Sequence, residues 1–216
     1  KSLHTLHTQC HGKFTLKTTL MIGLQMFDRI KSLHDNSFIH RDLKPDNFLV
    51  GIGSSEHLIY LIDLGLAKRF KTKEHIHLGM TTGKKLVGTA RYASINSHIG
   101  NELSRRDDLE SLIYILIYFI KGSLPWQGIN CQEREEKYRL IGEAKMQTSV
   151  ETLCANLPEG FKLYLQNVKK LGFKEKPDYH YLRSLIVNMF TINGFIYNNV
   201  FDWTLQKHRI PGALSS

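Results

Sequence analysis

Cysteine is scarce in this sequence, with only Cys10, Cys131 and Cys154 among 216 residues. An odd number of cysteines without CxxC spacing fits a reducing compartment, the cytosol or the nucleus, better than a disulfide-stabilised scaffold. Long apolar runs are also lacking. The longest, at 112–120, is far shorter than the roughly 20 residues that span a bilayer. We therefore expect a core helix there, no signal peptide and no membrane partner.

Linkers and repeats are absent as well. No low-complexity tract or Pro/Gly-rich stretch divides the sequence, and a hydrophobic content of 42% suffices for one domain, which we predict over 1–216. The formal net charge of +9 favours acidic or phosphate-rich partners. Nucleic acid is one such partner, but without interleaved aromatic residues or a known module we do not expect it to bind. We also expect a monomer.

Apolar spacing predicts a mainly α protein. A helical period over 14–33 predicts a long amphipathic helix, and an almost wholly apolar segment over 107–120 predicts a central one. Two short apolar segments, 47–50 and 58–62, flank glycines and predict a small β-hairpin. The basic stretch 66–104 has no period and is interpreted as a long loop. Further helices are predicted at 133–141, 158–171 and 179–190, with Trp126 and Trp203 as core anchors.

The strongest chemical pattern is the segment 40–47, HRDLKPDN, followed by Asp63 sixteen residues after Asn47. Phosphoryl transfer needs a carboxylate near the attacking hydroxyl and oxygen ligands that hold magnesium on the phosphates. A tight loop followed by a hairpin can hold Asp42, Asn47 and Asp63 on one open surface. The alternative is a chance tripeptide beside an ordinary turn. The order, spacing and apolar flanks of the two motifs make this alternative unattractive.

These two motifs resemble the catalytic loop and the metal-binding DFG motif of protein kinases. Five further segments resemble the casein kinase 1 family of serine/threonine kinases: 88–96 (GTARYASIN), 104–112 (SRRDDLESL), 122–128 (GSLPWQG), 176–179 (KPDY) and 201–203 (FDW). The resemblance runs from about Ser2 to Trp203. It implies a kinase-like C-terminal lobe, mainly α with one small hairpin and without the N-terminal β lobe.

The resemblance implies catalytic roles within a catalytic loop at 40–47, a metal-binding loop at 63–65 and an activation and substrate loop at 66–96. Asp42 would accept the hydroxyl proton, and Lys44 would neutralise the transferred phosphate. Asn47 and Asp63 would hold magnesium on ATP. Thr89 would bond the catalytic aspartate and lysine.

Structural roles are implied for His40 and for Asp108, which would bond the catalytic-loop backbone from the central helix. The alternative role of Asp108 is that of a carboxylate at a helix N-terminus, where the helix dipole favours a negative charge. The two roles are compatible. Leu64 replaces the phenylalanine of DFG, and we expect it to pack in the same way. Ile113 stands where many kinases have glycine.

The family's preference for acidic or already phosphorylated substrates implies an anion site. Arg91 and Lys137 match its positions, and Lys68 and Lys84 match a neighbouring site. Two cations converging on one phosphate form charge-assisted hydrogen bonds. The alternative is an ordinary solvated basic loop. Glutamates beside Lys137 lower the local charge and weaken the anion site.

Only 39 residues precede His40, and they contain no glycine-rich loop, strand lysine or partner glutamate. The sequence starts at Lys1, and its first methionine is Met21, so we expect residues upstream. Two hypotheses remain: a fragment of an active kinase, or a truncated pseudokinase that binds substrates or regulators. The retained catalytic residues favour the first. We expect negligible activity from this chain alone, since phosphoryl transfer depends on positioning.

Overall fold

The structure, a computed structural model, describes residues 1–207, so the last part of the domain predicted over 1–216 lies outside the described residues. This part of the chain is mainly helical, as predicted. Its helices are α1 (Leu3–Gln9), α2 (Leu16–Asp35), α3 (Ile95–His98), α4 (Arg105–Lys121), α5 (Arg134–Gln147), α6 (Val150–Leu153), α7 (Glu159–Lys170), α8 (Tyr179–Ile192) and α9 (Asp202–Lys207). Its strands are β1 (Phe38–Ile39), β2 (Phe48–Val50), β3 (Ile59–Leu61) and β4 (Lys68–Arg69).

Helix α4 is the centre of the fold and is buried along almost its whole length, as predicted for 112–120. It begins in a capping box, in which the Ser104 N–H donates to the Asp107 carboxylate at 2.7 Å, and it ends at Gly122 in the left-handed conformation. Helices α2 and α7 pack against it, and α8 packs against both of them. This packing leaves the N-terminus of α4 directly beneath the loop that follows β1.

The predicted hairpin is confirmed as β2 and β3, which pair antiparallel with Phe48 opposite Leu61. A second antiparallel pair, β1 with β4, was not predicted. Its strands are far apart in sequence and form no hairpin, so the prediction of one small hairpin is confirmed. Together with α3, this pair corrects the interpretation of 66–104 as wholly irregular. Two-residue strands are too short to produce a period in the sequence.

Most predicted helices agree with the structure to within two residues at each end. The exception is α5, which continues to Gln147, six residues beyond its predicted end. Trp126 and Trp203 are buried, as expected of core anchors. No helix in residues 1–207 is long and apolar enough to cross a bilayer.

Candidate active site

The catalytic loop is fixed from below by Asp108 in the first turn of α4. The His40 N–H donates to Asp108 Oδ2 at 2.7 Å, and the Arg41 N–H donates to Oδ1 at 2.9 Å. His34 Nε2 donates to the same carboxylate at 3.0 Å, and its Nδ1 contacts the Tyr179 hydroxyl at 2.8 Å. Burial by itself raises the pKa of Asp108, but these donors outweigh it and lower the pKa overall. Asp108 therefore remains ionised and holds the backbone where the loop begins.

His40 connects this loop to the end of β3. Its Nδ1 accepts from the Asp42 N–H at 3.3 Å, so its Nε2 carries the proton and donates to the Ile62 carbonyl at 3.1 Å. The ring is fully buried, which makes both partners necessary. Because Ile62 precedes Asp63, the imidazole sets the distance between the catalytic and metal-binding loops.

Two residues of the site have unusual backbones. Arg41 and Asp63 adopt φ values of 69° and 63°, in the left-handed region that side chains other than glycine rarely occupy. The Arg41 Nε–H donates to the Leu66 carbonyl at 2.7 Å, which joins the two loops again. Such strain persists where surrounding contacts over-determine the backbone, and it is concentrated at functional sites.

Both oxygens of the Asp42 carboxylate are engaged by the chain. The N–H and Oγ1–H of Thr89 each donate to Oδ1 at 2.8 Å, and Lys44 Nζ lies 2.9 Å from Oδ2. Gly88 permits this close approach, because a Cβ at its position would lie 2.4 Å from the Arg41 carbonyl oxygen. The carboxylate is therefore held in one orientation, with a cation beside it.

Lys44 lies within a group of acidic side chains. Its hydrogen bond with Asp42 is the largest cause of its raised pKa, to which Asp46 and Asp63 also contribute. Lys44 thus remains charged, and its ammonium lies within the field of Asp42, Asp46 and Asp63. These aspartates are therefore near neighbours in the fold.

Asn47 and Asp63 offer the oxygen ligands that magnesium prefers. The Asn47 amide nitrogen donates to the Asp42 carbonyl at 2.9 Å, which turns the amide oxygen away from that carbonyl. Asp63 is exposed, and its Oδ1 accepts from the Gly65 N–H at 3.2 Å. The Ile62 N–H donates to the Asn47 carbonyl at 2.9 Å, so both residues lie at the open end of the hairpin. This donor set fits a hard divalent cation.

The residues predicted to bind a substrate anion lie at two places in the structure. Arg91 lies over the rings of Tyr92 and Tyr118, with its guanidinium carbon 5.8 and 5.7 Å from their centroids. Lys137 is exposed on α5, and within residues 1–207 no ion pair, hydrogen bond or ring contact joins its side chain to Arg91. A shared anion site at these two residues therefore stays a prediction.

Lys68 and Lys84 do converge, and they do so on Glu102. Their ammonium nitrogens lie 2.9 and 3.8 Å from its carboxylate oxygens. Arg41 and Lys85 line the same groove, whose volume is about 210 Å³. Glu102 cancels one of the four positive charges, so a cationic surface remains.

Leu64 does not pack as expected. Its side chain is 56% exposed, and Ile62 and Leu66 on either side are also exposed. Within residues 1–207 no element covers this side chain, so the expectation was wrong. Ile113, by contrast, is buried within α4.

Three contacts of this site involve residues that the sequence analysis did not single out. They are His34 beneath Asp108, Glu102 between the two lysines, and Lys145 of α5, which contacts the loop after Thr89. Lys145 follows the buried Ile141 by four residues, so a helix prediction carried past Ile141 would have placed it on the buried face.

Comparison with known families agrees with this geometry. Residues 1–191 match the family described as protein kinase domain, which accounts for 191 of the 216 residues. The matched range contains the catalytic loop, the metal-binding loop and the loop that carries Thr89. The chain belongs to the protein kinase domain family.

Proposed function

We propose that this chain carries the phosphoryl-transfer residues of a serine/threonine kinase of casein kinase 1 type. The reaction would move the γ-phosphate of ATP to serine or threonine in acidic or already phosphorylated proteins. The observation that supports this proposal best is the Asp42 carboxylate held between Thr89 and Lys44. We also propose that the protein is a monomer in the cytosol or nucleus and that it binds neither membranes nor nucleic acid.

The geometry suits general-base catalysis with charge neutralisation. Thr89 fixes one oxygen of Asp42, and the other can accept the proton of a substrate hydroxyl. The Lys44 ammonium beside that oxygen can neutralise the negative charge of the phosphate during transfer. Asn47 and Asp63 would hold magnesium, which when bound neutralises the β- and γ-phosphates.

The preference for acidic or phosphorylated substrates is supported by charge. The net charge is +9, and Arg41, Lys68, Lys84 and Lys85 line one groove around a single carboxylate. Arg91 is a second candidate, since it follows Thr89 by two residues and its guanidinium lies over two tyrosine rings. The groove is the better supported of the two sites.

A second candidate function is a binding module without transfer activity. It is favoured by the groove around Glu102, which Arg41, Lys68, Lys84 and Lys85 line without any contribution from Asp42. This groove could hold an anionic protein segment independently of the transfer residues. Such a chain could bind a protein substrate or regulator and leave it unmodified.

A transfer assay separates the two candidates. Phosphate incorporation into a peptide would be measured for the chain alone and for the chain joined to a casein kinase 1 N-terminal lobe. We expect negligible transfer by the first and transfer to serine or threonine by the second, abolished by Asp42→Asn. The matched control is Asp35→Asn, a conservative change at an exposed carboxylate at the end of α2. No transfer by the fused chain, with the peptide still bound, would favour the binding module.

Substrate preference needs its own comparison on the fused chain. Phosphorylated and unphosphorylated peptides would be tested against Lys68→Ala plus Lys84→Ala, and against Arg91→Ala plus Lys137→Ala. We expect the first pair to lose the preference for the phosphorylated peptide and to keep its basal rate, with the effect declining as salt rises. If neither pair alters the preference, the anion site lies elsewhere.

A further inference from the structure

The backbone carbonyls of the loop after Thr89 are bonded by side-chain donors from two separate segments, helix α5 and the segment after α4. Lys145 of α5 donates to the carbonyls of Ala90 and Ala93, the first at 2.8 Å. The indole N–H of Trp126 donates to the Arg91 carbonyl at 2.7 Å. These carbonyls have no strand or long helix to satisfy them, so the side chains supply what secondary structure otherwise provides.

Lys145 is an unusual residue for this position because it is only 1% exposed. Its nitrogen lies 5.2 Å from the Tyr114 ring centroid and 5.1 Å from that of Trp126. Glu110 acts on it from farther away. Burying an ammonium costs free energy unless it is compensated, and here two carbonyls and two aromatic rings compensate it.

Packing alone does not explain this lysine. A methionine would fill nearly the same space between the two rings without any charge to desolvate. What it would lack is the pair of donors to Ala90 and Ala93. The feature specific to lysine is therefore its contact with the loop.

The contact extends to the catalytic carboxylate through two hydrogen-bonded steps. The Ala93 N–H donates to the Thr89 carbonyl at 3.0 Å, and the Tyr92 N–H donates to the same oxygen at 2.9 Å. The Thr89 hydroxyl in turn donates to Asp42 Oδ1 at 2.8 Å. A shift of the Ala90–Ala93 turn would therefore move Thr89 relative to Asp42.

We propose that Lys145 is a positioning residue, which fixes the turn 89–93 and through it the orientation of Asp42 and the backbone of Arg91. The effect on the turn follows from the contacts themselves. Only its consequence for phosphate transfer rests on the proposed function.

Amide hydrogen exchange on the full chain tests the effect on the turn. In Lys145→Met, the amides of Tyr92 and Ala93 should exchange roughly 10- to 100-fold faster, the factor expected when hydrogen bonds to a charged donor are lost. Amides in the middle of α4 should be unchanged and serve as an internal reference. The matched control is Lys137→Met, on the exposed face of the same helix. Unchanged exchange at Tyr92 and Ala93 in the Lys145 variant would overturn the proposal.

A pH series on the unmodified chain gives a second measurement, which does not depend on the variant folding. Burial lowers the pKa of Lys145, while Glu110 opposes the shift. The carbonyl resonances of Ala90 and Ala93 should therefore move together over the neutral to alkaline range, with one midpoint near pH 7, below that of an ordinary lysine. His98, Tyr114 and Glu110 face the ammonium from α3 and α4. The midpoint should persist in His98→Gln, because the titrating group is Lys145.

Independent carbonyl shifts, or none over this range, would show that no shared ammonium bonds the two groups. Transfer by the fused chain reports separately on the proposed function. Changed exchange with no transfer in any variant would remove the kinase proposal and leave the positioning role intact. Changed exchange with transfer should be accompanied by a lower kcat at an unchanged KM for ATP.

Discussion

Replacing Asp108 with asparagine tests the frame beneath the catalytic loop. The substitution keeps the volume and exchanges one carboxylate oxygen for an NH2 group. The His40 and Arg41 N–H groups donate to different oxygens, at 2.7 and 2.9 Å, so an amide can accept from only one of them. The NH2 group would face the other N–H at a fully buried position.

The size of the effect follows from these contacts. Losing a hydrogen bond to a charged group costs about 1.5–3 kcal/mol, and leaving a buried N–H without an acceptor costs about 1–3 kcal/mol. Because these two costs partly overlap, we expect Asp108→Asn to lower the free energy of unfolding by about 3–5 kcal/mol. That is a large share of the roughly 5–15 kcal/mol by which domains are stable.

The pH dependence of this stability loss distinguishes a lost charge from a simple packing defect. The folded-state pKa of Asp108 is lowered, so its contribution is present above the unfolded value of 3.8 and is lost as the pH falls through the folded value. Asparagine does not titrate. The stability difference between the two proteins should therefore shrink in acid.

Urea unfolding monitored by circular dichroism measures both quantities. The control Asp35→Asn removes an exposed ion pair with Lys31 and should cost less than about 1 kcal/mol. A cost at Asp108 no larger than that of the control, or one that stays constant in acid, would refute the reasoning.

Three other changes have expected outcomes. Burial, assisted by the charge of Lys145, lowers the pKa of His98 from 6.5 to about 4. Between these two pH values the unfolded chain therefore binds more protons at His98 than the folded chain does. His98 by itself should therefore add about 3 kcal/mol of stability between these pH values, and the difference between urea titrations of the unmodified chain and of His98→Gln should show that rise. Trp126→Phe deletes the donor to Arg91 and should cost roughly 1 kcal/mol by thermal unfolding, with Trp203→Phe as the comparison that deletes no such bond. Glu102→Gln frees Lys68 and Lys84, and calorimetry at low salt should show inorganic phosphate binding several-fold more tightly.

The helical part of the fold could be predicted because its elements are long enough to repeat. Helix α4 and helix α2 show their apolar positions over four or more turns, and both were located to within two residues. The pair β1–β4 could not be found, since two residues contain no period and its partners are thirty residues apart. The β1–β4 pair forms because the folded chain brings these two segments together.

The site divides in a similar way. Asp42, Asn47 and Asp63 were identified because their motif has fixed spacing, and the structure places them on neighbouring loops. Lys145 and Glu102 were missed because their partners, the Ala90 carbonyl and Lys68, are distant in sequence. A lysine or glutamate in an amphipathic sequence is normally assigned to solvent, so the helical spacing of Lys145 from Ile141 was not enough to overrule that assignment.

Asp108 and Lys145 perform opposite tasks for the same purpose. The carboxylate accepts the N–H groups that begin the catalytic loop, and the ammonium donates to the carbonyls that follow Thr89. The two loops meet at Asp42, where Thr89 donates to Oδ1. Apolar substitutes of similar volume can match or exceed buried charges in stability, so stability alone does not account for two of them. Since each charge fixes one loop, we infer that the role of Asp108 and Lys145 is to position Asp42 and Thr89 for their hydrogen bond. Variants at Asp108 and Lys145 should therefore disturb that hydrogen bond even where the chain still folds.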